Sequence, residues 1–175
     1  MKLNFPDERP IPPPDRFILS SVIGWMELGN PVEAADELSR ISPEIADRWE
    51  TLAIKWDVFA KLKRWPECLT IADRLVEKWP CEVTGWIDRS FSLHELDRTR
   101  DAYDNLQAVT GRFETISTIP YNLACYACQL GDIAEALKWF QKARKVGDGQ
   151  DWLKIALNDP DLEPMRDAIL RLDVS

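Results

Sequence analysis

A chain of 175 residues with a formal charge of −8 and a single histidine is long enough to bury a core without disulfide or metal staples. The acidic balance disfavours a nucleic-acid partner, since phosphate backbones are held by clustered Lys and Arg. Cys68, Cys81, Cys125 and Cys128 are too few and too embedded in patterned segments for a secreted disulfide framework, and without a phosphate loop, HExxH or GxSxG an enzyme would have to lean on thiols or carboxylates.

In chain order, residues 1–14, MKLNFPDERPIPPP, read as an extended proline-rich N-terminal arm of polyproline character. The arm has no apolar signal-peptide core, and no later stretch has the roughly 18 apolar residues of a membrane span. The expectation is a cytoplasmic protein with no membrane partner. From residue 15 onward apolar residues recur at helical spacing, and nothing alternates with period two for long enough to make a strand. The patterns predict helices over 15–28, 31–41, 48–62, 65–78, 82–95, 99–110, 118–130 and 133–146. Asn30-Pro31 and Ser42-Pro43 read as N-cap and N1 pairs, and Gly111 and Gly147 as glycines ending helices. Further on, Leu162, Met165, Ile169 and Leu172 form a stripe that can cap a stack of helices.

The helical patterns repeat. Leu28, Leu62, Leu96 and Leu130 are each 34 residues apart, as are Ala34, Cys68, Ala102 and Ala136. Two helices per 34-residue unit resemble the tetratricopeptide repeat (TPR). Leu123, Ala124, Gly131, Ala136, Phe140 and Ala143 match its pattern best, joined by Trp86, Pro80 and Gly29 in other units. Lys63 and Asp97 stand where the turn glycine is expected, which costs about 1 kcal/mol each if the backbone there is left-handed. The resemblance implies an all-α fold, a right-handed α-solenoid of four helix pairs over 15–48, 49–82, 83–116 and 117–148. A C-terminal capping segment, 149–175, would follow.

Each first helix offers two stripes at 100° per residue. Trp25, Trp56, Phe59, Trp86, Leu93, Ala124 and Ala127 read as the core stripe. Its neighbour runs through Arg16, Leu19, Ile23 and Met26; Glu50, Ala53, Asp57 and Ala60; Thr84, Ile87, Phe91 and His94; Thr118, Tyr121, Cys125 and Cys128. In TPR proteins the matching positions line the concave groove that takes a partner peptide or helix. The resemblance therefore implies a non-catalytic interaction module with Leu19, Ile23, Met26, Asp57, Ile87, Phe91, His94, Tyr121, Asn122 and Cys125 as groove residues. The apolar members favour an apolar or aromatic-bearing segment, anchored near Phe91 and Tyr121. Cover by the N-terminal arm, or by a second copy in a homodimer, is the alternative. The carboxylate clamp found in one TPR subfamily is not matched, because its places hold Leu19, Ile23, Ile54, Asp88 and Asn122, and only Asn122 has suitable chemistry.

Cys125-x-x-Cys128 falls within a helix, whereas a thioredoxin-type pair needs its first thiolate at a helix N-terminus. Small buried side chains are the expectation, with no metal and no cofactor. A thiol- or metal-dependent activity at Cys125, Cys128 and His94 is the competing reading: His94 occupies the place of Cys128 one unit earlier, and together they offer three of the four ligands zinc prefers. Carboxylate pairs such as Glu95 and Asp97 read as solvated joints rather than acid/base dyads.

Overall fold

The computed structural model describes residues 9–146 and 149–173, the side chains of 172 and 173 excepted. Among these residues there is no strand. The helices are α1 (Asp15–Glu27), α2 (Pro31–Leu38), α3 (Pro43–Ala46), α4 (Trp49–Lys61), α5 (Trp65–Lys78), α6 (Val83–Glu95), α7 (Thr99–Gln107), α8 (Thr118–Gln129), α9 (Ile133–Val146), α10 (Trp152–Ala156) and α11 (Arg166–Asp173), with a 3-10 turn, Pro160–Met165, before the last. The chain divides into two compact units, residues 1–92 and 93–175.

The turns carry the repeat most clearly. Gly29, Lys63, Asp97 and Gly131, each 34 residues from the next, all have left-handed backbone, with φ of 74°, 56°, 60° and 84°. Every one closes with the same pair of bonds. The following residue donates back five places, as in Asn30 N–H to Trp25 O and Asp132 N–H to Ala127 O, both 2.9 Å. The turn residue itself donates back three. This double bond satisfies carbonyls that a helix end leaves orphaned, and two non-glycine residues adopt a conformation that glycine takes without strain. Six residues after Leu28, Leu62, Leu96 and Leu130, the residues Ala34, Cys68, Ala102 and Ala136 are fully buried, which lets the second helix of a pair approach the first closely.

In the first unit, α2 packs back on α1 and α5 on α4, and α4 also meets α1 and α2. Leu19, Val22, Ala34, Leu38 and Val58 form one core cluster, and Trp49, Leu52, Ile71 and Leu75 another. The start of α1 is fastened to the joint before α3. Asp15, 4% exposed, accepts 2.8 Å bonds from the Ser42 N–H and the Ser42 hydroxyl. Ser42 thus spends its hydroxyl on Asp15 rather than on capping α3. Asn30 caps α2 as expected, accepting from Glu33 N–H. In the second unit, α8 is covered by α7, α9 and the 3-10 turn, and Leu106, Ile119, Leu123, Tyr126, Phe140, Leu162, Met165 and Ile169 are fully buried.

Several local expectations are corrected. The second helix ends at Leu38, because the Ser39 and Arg40 amides turn to carbonyls three residues back, and the short α3 follows. Helix α7 ends at Gln107, so Gly111 does not cap it. Trp25, Trp56, Phe59 and Trp86 are only half-buried; the smaller Val22, Leu52 and Val58 take the innermost places. Residues 1–8 of the arm, Gly147 and the Leu172 side chain lie outside the described residues.

Candidate functional site

The stripe predicted on the first helices has two fates. In the first unit much of it opens into a trough of about 660 Å³. Helix α1 contributes Ile23, Met26 and Glu27; α4 contributes Ile54, Trp56, Asp57, Ala60 and Lys61; Trp65 of α5 and Phe91 of α6 complete the wall. Ile23 is 46% exposed and Phe91 38%, two large apolar groups lining one cleft. Phe91 meets Trp65 edge-on at 5.6 Å and Trp56 at 6.2 Å. The Trp56 indole N–H donates to Ser92 Oγ at 3.1 Å, and the Ser92 hydroxyl donates to Asp88 O at 2.7 Å. One wall of the trough is therefore held rigidly by buried polar bonds.

Two carboxyl groups belong to this region. Burial raises the Asp57 carboxyl above its ordinary range, and Lys61 partly offsets it. Asp88, 8% exposed, is raised well above that range by burial and by the charge of Asp57. Cys68 lies close by, its thiol pushed up to about 12 by burial and then by Glu67 and Asp88.

In the second unit the stripe is closed. Tyr121, Cys125 and Cys128 are 5%, 4% and 3% exposed, covered by the C-terminal segment. Trp152 stacks on Tyr121 with ring centres 4.1 Å apart. The Tyr121 hydroxyl donates to Asp159 Oδ2 at 2.6 Å, and the Cys125 thiol points at the same oxygen from 3.7 Å. His94 Nε2 lies 3.2 Å from Asp161 Oδ2, its Nδ1 is 3.0 Å from Thr99 Oγ1, and Gln129 donates to Asp161 O at 2.8 Å. Asp159 also accepts from the Asp161 N–H, capping the 3-10 turn.

The expected groove residues thus separate. Ile23, Met26, Asp57 and Phe91 share the trough. Leu19 does not: at 5% exposed it belongs to the core, because the buried face of α1 runs through Asp15, Leu19 and Val22. Ile87 and Asn122 are half-buried and lie outside the trough. Tyr121 and Cys125 lie beneath the chain's own C-terminal segment, and His94 is tied to that segment through Asp161. Trp65 escaped the sequence reading because it begins a second helix, outside the stripe of first helices. Trp56, expected on the core stripe, packs against the core cluster of α4 and α5 and also lines the trough.

The thiol reading fares poorly on chemistry. Burial pushes Cys125 well up, with Asp159 and Asp161 adding to it, and burial raises Cys128 as well. Such thiols are protonated and poor nucleophiles. The potential metal ligands that do converge, Cys125, Asp159 and Asp161, place one atom each within 4.8 Å of the others. All three are engaged in holding the C-terminal segment down.

No family model matches the sequence, and no curated protein does either. Solved structures do match. MamA residues 41 to the end, from Desulfovibrio magneticus RS-1, superposes with a TM-score of 0.70 at 14% identity, over 94% of this chain and 98% of that one. A MamA RS-1 double mutant gives 0.68 at 14% identity, covering 79% and 78%, and MamA of MSR-1 gives 0.64 at 18% identity, covering 74% of each chain. MamA is a TPR protein, and with four left-handed turns at one spacing this chain has the all-α TPR fold.

Proposed function

We propose that this chain is a non-catalytic protein-binding module, and that a peptide or helix of a partner lies in the trough bordered by Ile23, Met26, Asp57 and Phe91. One observation carries the reading. The stripe is sealed at Tyr121 and Cys125 by the chain's own C-terminal segment, yet at Ile23 and Phe91 the same kind of face stands open over about 660 Å³. Exposed apolar side chains arranged around a cleft cost solvation free energy unless something covers them. The sealed end also illustrates the chemistry such a face accepts, an aromatic ring stacked on an aromatic ring with flanking carboxylate bonds.

The test is site-specific photocrosslinking. A benzophenone amino acid at position 23 should capture a discrete partner. The same group at Val32, exposed on α2 and outside the trough, should capture none. Equal capture at both positions, or capture only at 32, would refute the proposal. Among the described residues no helix is long and apolar enough to cross a membrane.

A further inference from the structure

The chemistry of the trough narrows the partner, on the understanding that the trough is where the partner binds. Its walls join three aromatic rings to carboxyl groups. Trp56, Trp65 and Phe91 lie around one cleft with Glu27 and Asp57, and Lys61 is the one base lining it. Behind Asp57 stands Asp88, 8% exposed and, among the described residues, in an ion pair with no Lys or Arg. The chain as a whole carries a charge of −8.

Three kinds of anchor can be weighed. A neutral apolar side chain would cover the aromatic walls but strip water from Asp57 without returning a bond, which is costly for a charged group. An acidic anchor would add a third negative charge to Glu27 and Asp57. A cationic side chain meets both features. Its apolar stem can lie along the rings, as long basic side chains do on apolar surfaces, and its head is attracted by ring faces and carboxylates together. We propose that the trough recognises a Lys or Arg side chain projecting from an otherwise apolar segment of a partner protein, the cationic head against Asp57 and the stem lying along the surface formed by Trp56, Trp65 and Phe91. The carboxyl groups support this from another side: burial raises both Asp57 and Asp88, the charge of Asp57 raises Asp88 further, and an incoming cation at Asp57 offsets that charge.

The experiment selects phage-displayed random peptides on the full chain and measures the selected synthetic peptides by calorimetry. The expected peptides share a Lys or Arg at a fixed distance from an apolar residue. Replacing that residue by norleucine weakens binding at least tenfold. Asp57→Asn, a change at an exposed side chain, weakens the cationic peptide at least fivefold and leaves its norleucine version within twofold. Peptides that lose affinity with a folded Phe91→Ala variant but bind equally well with norleucine would overturn the cation assignment while leaving the trough as the binding site. Peptides indifferent to Phe91→Ala, or no retained peptides at all, would overturn the binding site itself and this inference with it.

Discussion

Gly85 and Gly24 make a matched pair within the first unit. An alanine within a helix is favoured over glycine by up to about 1 kcal/mol, because glycine loses more backbone freedom on folding. Around Gly24 of α1 nothing lies within 4 Å of an added Cβ, so only this gain applies. At Gly85 of α6 the added Cβ would stand 2.9 Å from Leu75 Cβ, 3.1 Å from Val76 N and 3.2 Å from Leu75 C, where ordinary contact begins at 3.4 Å. Two of these three neighbours are α5 backbone, and Leu75 is 1% exposed, so no rotamer change relieves the clash. The helices must separate by about half an ångström, and overpacking of this kind costs about 1–3 kcal/mol. The clash therefore outweighs the propensity gain. Gly85→Ala should lose about 1–2 kcal/mol, and Gly24→Ala should gain about 0.5–1 kcal/mol. At roughly 2–4 °C per kcal/mol for a chain of this size, melting followed by circular dichroism should fall by about 2–8 °C for Gly85→Ala and rise by about 1–4 °C for Gly24→Ala. A rise for both variants would refute the close approach of α5 and α6.

Lys63→Gly and Asp97→Gly should each stabilise by up to about 1 kcal/mol, measured by urea unfolding, because both residues hold φ near +60°; a loss at either would show that its side chain contributes more than its strain removes. The bond to Asp161 raises His94 above its ordinary 6.5, with burial opposing it and the Asp161 charge adding to it, so the protonated pair adds stability fully present below 6.5 and lost as pH rises through the raised value. His94→Gln should accordingly lower the melting temperature more at pH 6 than at pH 9, and an equal loss at both would contradict the pairing. In native protein a thiol reagent should modify exposed Cys81 rapidly, and buried Cys68, Cys125 and Cys128 only on unfolding; prompt reaction of all four would contradict the cover over α8.

The fold was legible because it is written at one period. Turn residues at 29, 63, 97 and 131 and small residues at 34, 68, 102 and 136 need no long-range information to be seen. The strain expected at Lys63 and Asp97 was readable for the same reason: Gly29 and Gly131, in register with them, mark the position as one that glycine takes without strain. The site was legible only in part. Helical angle placed Ile23, Met26, Asp57 and Phe91 on one stripe, but angle alone does not say where a core ends, and Leu19 fell on its buried side. The closure over Tyr121 and Cys125 depends on Trp152, Asp159 and Asp161, about 30 residues later in the chain, and no periodicity links those residues to α8. The capping stripe was visible in Leu162, Met165 and Ile169.

The most direct measurement is the affinity of the partner captured at position 23 for wild type, Phe91→Ala and Tyr121→Phe, each checked for native circular dichroism. Phe91 stands at the open trough, and an aromatic anchor of that kind typically contributes about 2 kcal/mol, roughly a thirtyfold change in dissociation constant. Tyr121 lies under the C-terminal segment, so losing its hydroxyl should leave affinity within about twofold while lowering stability. Full affinity in Phe91→Ala, or a large loss confined to Tyr121→Phe, would contradict the placement of the binding site in the trough.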